Sequence, residues 1–408
     1  MSNVRGIEVL QQGTAFDAFG RLRVSEPYTI FDSKLVNDKQ PLFYDEVING
    51  TATSTHNTGE ASVSMTVNAN GDYVIRETFM TFNYQPGKSQ YILLTGVINE
   101  PTTNLETRIG YFNTSTTAPY TANRDGVYFG TDGTDKYVAI SRNGTENKIT
   151  QANWNVDKLD GTGVSGITLD WDENQIFFID FEWLGVGIVR FGMIIDGVFH
   201  VCHIESHVND ATVATGAFMQ TPNHSVRYEI RSTGAVATMK QICSSVMSEG
   251  GIEESGVTRG VSNGTTAVSV GTTTTGILFW RLNSGRPCTT VALDSFSFLN
   301  TANNTNNYRW AIYRNPTIAG TAPTYTQETS SAIDVAPGVS GNTLTNGTIL
   351  GQGYASGSTP AINFSTNTLI NPGIAIDGTQ DEFCLAIQTF SGTDTFVGSA
   401  NLLEVTCG

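Results

Sequence analysis

An all-β fold is what the sequence predicts: two antiparallel, jelly-roll-like β-sandwiches behind an extended N-terminal arm. Three observations predict it. Short apolar runs alternate with polar residues and nowhere sustain a helical period. Turn-forming residues punctuate those runs, since the 408 residues include 42 glycines but only 12 prolines, a balance suited to tight turns rather than stiff linkers. Hydrophobic residues reach 39% against 15% charged, which is enough to fill sizeable cores in a chain of this length. No period of about 20–50 residues repeats, so a solenoid or propeller is disfavoured.

Residues 1–46 read as an extended assembly arm. The stretch 14–46 is dense in apolar side chains, yet Gly20, Pro27 and Pro41 break any continuous helix. Phe16, Phe19, Phe31 and Phe43 would anchor this arm, against a neighbouring subunit or against their own chain. Arg21 and Arg23, two apart, would meet acidic groups of a partner or symmetry mate, or stay solvated. Residues 47–247 read as the central sandwich. Within it, 126–140 forms two strands around a polar, glycine-containing turn. The clearest hairpin is 189–204, with Asp196-Gly197 supplying the positive φ angles of a type I′ turn. That turn predicts Ile195 opposite Val198, Met193 opposite His200, Phe191 opposite Cys202 and Arg190 opposite His203.

The acidic, glycine-rich segment 248–256 is the linker, and 257–408 is the C-terminal sandwich. Its strands are expected in the runs 276–282, 291–299, 308–313 and 383–390. From Gly256 onward there is no lysine, five arginines and eight acids, so this part is nearly neutral while the rest carries most of the negative charge.

The net charge of −16 argues against wrapping nucleic acid, whose affinity comes from lysine and arginine neutralising phosphates. It argues equally against docking on an anionic membrane. The most apolar stretch, 176–195, contains Asp180, Glu182 and Arg190, which argues against a membrane span. The N-terminus lacks a basic and apolar leader pattern. The five cysteines (Cys202, Cys243, Cys288, Cys384, Cys407) are widely spaced and odd in number, so reduced thiols and folding in a cytoplasm are expected.

Three clusters suggest chemistry, and each has a plainer reading. His203, Glu205 and His207 would share one strand face as a metal trio, but Arg190 opposite His203 opposes a divalent ion, which leaves ordinary sheet histidines. Asp180 and Glu182, two apart on one strand, resemble the carboxylate pair of a retaining sandwich glycosidase. The flanking acids that such a motif needs are replaced by Phe178 and Gly185. Asp170 and Asp172 lack the spacing of a calcium loop and read as a solvated turn. No catalytic residue, cofactor or metal is therefore expected. Trp280, Tyr308 and Trp310 remain as a platform on which a sugar ring could stack, against the plainer reading that alternating strand aromatics are core.

The run Asp17-Ala-Phe-Gly-Arg-Leu-Arg-Val-Ser-Glu-Pro27 is followed by Phe31-Asp-Ser-Lys34 and Gln40-Pro-Leu-Phe43. A second block comprises Trp154-Asn-Val-Asp-Lys-Leu-Asp-Gly-Thr-Gly163, Gln175-Ile-Phe-Phe-Ile-Asp180, Trp183-Leu-Gly-Val-Gly-Ile-Val-Arg-Phe-Gly192 and Arg227-Tyr-Glu-Ile230. Together these resemble virion structural proteins of tailed bacteriophages, notably marine ones, and of some large DNA viruses. The likeness spans about residues 14–235. It implies a non-enzymatic particle protein, assembled in a host cytoplasm, that decorates a capsid or belongs to a tail, neck or fibre. Its partners would be other capsid or tail subunits and copies of itself, with a trimer favoured. A glycan-binding receptor module of a viral fibre is the alternative, and a β-sandwich glycan hydrolase a third reading.

Overall fold

The computed structural model describes residues 17, 22, 26–209, 216–251, 256–302, 306–356, 362–365 (backbone only) and 371–405. The chain forms two compact units, Met1–Glu253 and Glu254–Gly408, divided inside the acidic glycine-rich segment. Both are antiparallel sandwiches, and no α-helix occurs among the described residues.

In the first unit an eight-stranded sheet runs in the order Val198–Ser206, Ile188–Ile195, Gln175–Phe181, Gln90–Val97, Ala237–Ser248, Ser62–Val67 and Thr53–Asn57, with Tyr28–Lys34 also paired to Ala237–Ser248. A seven-stranded sheet faces it: Thr145–Thr150, Lys136–Arg142, Asp125–Thr131, Leu105–Asn113, Val226–Ser232, Tyr73–Thr78 and Tyr44–Asn49. Alternation along the strands sends Phe177, Ile179 and Phe191 from one sheet, and Ile109, Phe129 and Tyr228 from the other, into one buried core.

The second unit repeats the plan. Val257–Ser262, Asp394–Val405, Thr290–Asn300 and Ile362–Ser365 make one sheet, with Val268–Val270 also on Asp394–Val405. Thr326–Gln327, Ile333–Pro337, Thr275–Leu282, Glu382–Thr389, Asn307–Arg314 and Thr348–Ser356 make the other. A ribbon of Thr317–Ala319 and Thr343–Thr345 covers part of that second sheet's outer face, packing Ile318 and Leu344 on Phe279 and Tyr313. All four expected C-terminal strands are present.

The hairpin turn has both central residues at positive φ, Asp196 at 53° and Gly197 at 76°, as a type I′ turn requires. Ile195 pairs with Val198 and Met193 with His200, as expected. Beyond them a bulge intrudes, so Phe191 faces His203 and Arg190 faces Ile204. The expected Arg190–His203 pairing is thereby corrected. The cause is local: one extra residue, Cys202, is left outside the ladder, and its carbonyl accepts from the amides of Val156 and Asp157 instead.

The Trp154–Gly163 block is explained by that edge. Asn155 donates to the carbonyl of Ile204 and accepts from its amide, so the loop satisfies the free side of Val198–Ser206. Asp157 accepts from the amides of Leu159 and Ser165 and leaves no room for a side chain at Gly163, where a Cβ would meet its carboxylate. The block thus closes a sheet edge against unwanted strand pairing.

The arm boundary at residue 46 is also corrected. Tyr28–Lys34 and Tyr44–Asn49 are strands of the first unit, and Phe31 lies in its core with ring centroids 4.9 Å from Phe82 and 6.0 Å from Phe43. Phe16, Phe19, Arg21 and Arg23 lie outside the described residues. Removing residues 1–46 is therefore expected to unfold the first unit, not merely to release a partner. A single Phe31→Ala change should cost about 3–5 kcal/mol in a denaturant melt.

The expectation of five reduced thiols is corrected at one position: Cys288 is disulfide-bonded. Cys202, Cys243 and Cys384 are free, and Cys407 lies outside the described residues.

Candidate functional site

The acid pair on Gln175–Phe181 and just beyond it is built into the sandwich. Asp180 pairs across the ladder with Arg190, and its carboxylate accepts from that guanidinium and from the Ser89 hydroxyl. Both Asp180 and Glu182 are buried. A carboxylate neutralised by a fixed arginine under cover is poorly placed to attack a sugar. Replacing Arg190 by Met should cost about 3–5 kcal/mol, because it leaves the buried Asp180 carboxylate without its guanidinium; a urea titration would read it.

The histidines do not converge. His203 sits against Glu205, with Nε2 3.0 Å from the carboxylate. His207 turns away to stack on Phe218 at 4.2 Å, its Nδ1 3.0 Å from the Gly187 carbonyl. Asp170 and Asp172 organise a turn: Asp170 accepts from the Asp172 amide, and Asp172 from the Glu100 amide.

The proposed sugar platform is turned inward. Trp280, Tyr308 and Trp310 belong to the C-terminal core and expose only 0, 1 and 7% of their surface. Tyr308, Trp310 and Ile312 do share a face, but that face looks at the opposite sheet, where Phe296 stands 5.0 Å from Trp310 and Phe396 5.1 Å from Tyr308. No sugar can lie on a ring already covered by another ring.

The outer face of the seven-stranded sheet carries a closed polar layer. Arg108 and Arg227 contact Glu229 at 2.9 and 2.6 Å, Arg231 contacts it at 2.9 Å, and Arg124 approaches at 3.7 Å. Burial alone would raise the Glu229 carboxyl, yet Arg231, Arg227, Arg108 and Arg124 overcome that and hold it well below the usual carboxylate range. The same guanidinia stack on aromatics, Arg227 over Phe112 at 5.4 Å and Arg231 over Tyr73 at 4.8 Å. These charges satisfy one another, so the layer serves stability.

An open aromatic face exists elsewhere. On the six-stranded sheet of the second unit, Tyr354 and Phe390 are 71 and 59% exposed and touch edge to face, centroids 5.9 Å apart. The register explains their meeting: Arg309 pairs with Tyr354 on one side and Gln388 on the other, and the amide of Phe390 donates to the Asn307 carbonyl in the adjacent row. The polar neighbours are held in place. Arg309 donates to the Gln352 amide oxygen from Nε at 3.0 Å and Nη2 at 2.6 Å, and Gln388 donates to the Thr272 carbonyl at 2.8 Å. Beneath them the indole of Trp310 lies against Gly353, where a Cβ would come within 2.6 Å of the ring. The run Gly351-Gln-Gly-Tyr354 alternates no side chain inward with polar or aromatic outward. That pattern was the available signal for an exposed tyrosine, and apolar-run scanning passes over it.

No family model and no curated protein matches the chain. Among solved structures, the chain is similar to the Emp47p carbohydrate recognition domain at 10% identity and TM-score 0.34, covering 56% of this chain and 98% of that one. It is similar to the VIP36 exoplasmic/lumenal domain at 11% identity and TM-score 0.36, covering 54% and 92%. A putative β-glucanase from Mycobacterium abscessus is similar at 8% identity and TM-score 0.38, covering 53% and 99%. Likeness at these levels assigns no ligand, and the functional reading rests on this chain's own side chains.

Proposed function

We propose that this chain is a non-enzymatic recognition protein that binds saccharides on the outer face of its C-terminal sandwich. The observation that carries the reading is the Tyr354–Phe390 pair, two large exposed rings beside the immobilised planar groups of Arg309, Gln352 and Gln388. Exposed rings offer apolar area for the C–H face of a pyranose, and amide and guanidinium groups in fixed planes meet its oxygens without further loss of side-chain freedom. The buried, arginine-paired Asp180 supports binding over hydrolysis.

A second reading places this recognition surface on a virus particle. It is supported by the co-linear blocks 17–43 and 154–230, which resemble virion structural proteins; the arm ahead of residue 26 and copies of the chain would then supply assembly contacts. The two readings are compatible: a particle subunit would fix the first sandwich and present the second to a host glycan. Glycan-array binding of the full chain tests the first reading, and loss of signal in Tyr354→Ala with an unchanged melting temperature is expected. Labelling of intact particles with an antibody to the C-terminal unit tests the second.

A further inference from the structure

We infer that the Tyr354 face selects acidic saccharides, those bearing a carboxylate or sulfate, with Arg309 as the anion-binding group. The inference rests on the saccharide-binding reading and names its ligand class.

A guanidinium has two edges that hold an oxyanion through parallel hydrogen bonds: a side edge, Nε with one Nη, and an end edge formed by Nη1 and Nη2. In Arg309 the side edge is committed to Gln352, whose amide oxygen accepts from both Nε and Nη2. That contact orients the guanidinium plane and leaves the end edge for a ligand. Arg309 makes no ion pair among the described residues, whereas Arg281 and Arg314 of the same sheet are paired with Asp334 and Asp381.

The neighbourhood adds no opposing charge. The outward side chains in the rows around Arg309 are Asn307 and Phe390, Tyr354 and Gln388, then Gln352, and none is a carboxylate. A neutral sugar offers hydroxyl groups that donate as well as accept, and a carboxylate would answer them. This face offers donors in excess and one uncompensated positive charge, in a chain whose net charge is −16. An anion on a ring stacked against Tyr354 satisfies both features, and the overall negative charge keeps polyanions from binding elsewhere.

The test is binding of the full chain to three immobilised polysaccharides, polygalacturonate, dextran sulfate and neutral dextran, at low and raised salt. Binding to one or both acidic polymers is expected, at least ten times tighter than to dextran and weakened by salt. Polygalacturonate alone would identify the carboxylate, and dextran sulfate alone the sulfate. Arg309→Gln should lose at least ten-fold in affinity for the acidic polymer, and Arg309→Lys should recover only part, lacking the fork. Equal binding to dextran, or an Arg309→Gln variant that binds acidic polymer unchanged, overturns the acidic selection while leaving the saccharide face intact. Absence of binding to all three, or binding unaffected by Tyr354→Ala, overturns the saccharide face itself. Unchanged thermal melts of these surface variants confirm that each is folded.

Discussion

Replacing Glu229 by Gln is expected to destabilise the first unit by about 3–5 kcal/mol, among the largest effects of any single polar substitution in the chain. Glu229 is fully buried on Val226–Ser232 and is the shared acceptor of Arg108, Arg227 and Arg231, with Arg124 close by. Removing its charge takes the shared acceptor from a largely buried cluster of guanidinia: Arg227 keeps Glu77 and Arg108 keeps the more exposed Glu106, while Arg231 loses its ion-pair partner and the cluster keeps its desolvation cost. The exposed partner Glu106, 2.9 Å from Arg108 with 45% of its side chain open, supplies the control: Glu106→Gln should cost under about 1 kcal/mol. Equilibrium urea unfolding of the three proteins reads both. The acid dependence has the same origin. Because the folded carboxyl is held well below its ordinary value, its contribution is complete above the unfolded value of about 4.3 and is lost as pH falls through the folded one. The Glu229→Gln protein should therefore show a flatter decline in stability below about pH 5 than the parent.

Trp310→Ala and Tyr354→Ala should fail in opposite ways, although the two aromatics lie on neighbouring strands. Trp310 fills the core against Phe296 and the backbone of Gly353, so its truncation should cost about 3–5 kcal/mol and lower the melting temperature of the second unit. Tyr354 stands in solvent, and its truncation should change stability by under about 0.5 kcal/mol while removing saccharide binding. Gly353→Ala gives a third outcome. The added methyl runs into the indole and should destabilise by about 1–3 kcal/mol, displacing the Gln352–Tyr354 face outward. Melting curves alongside glycan binding for all three variants separate a core aromatic from a binding aromatic. Binding lost in Trp310→Ala while the fold stays intact would contradict the assignment.

Much of the first sandwich was legible because its signals are local. Asp196-Gly197 specifies a turn through the backbone conformations that those two residues tolerate, and the adjoining pairs Ile195–Val198 and Met193–His200 follow from it. The register failed at Phe191, where the strand takes up an extra residue to give the carbonyl of Cys202 to the Trp154–Gly163 loop. A bulge satisfies a partner far away in sequence, so turn chemistry cannot announce it. Phe31 and Phe43 read as anchors for either a neighbouring subunit or their own chain, and the fold takes the second, since an aromatic-rich segment declares that it must be buried without declaring where.

By itself the sequence determined the all-β class and the alternation that places Tyr308, Trp310 and Ile312 on one face and Arg309 on the other. Period and turn composition act over a few residues and need no knowledge of the rest of the molecule. Tertiary structure alone decided which of those faces became the interior. Alternation is symmetric with respect to the two sides of a strand. The opposing sheet, with Phe296, Phe298 and Phe396, breaks that symmetry by covering the tryptophan side and leaving Arg309, Tyr354 and Phe390 to solvent.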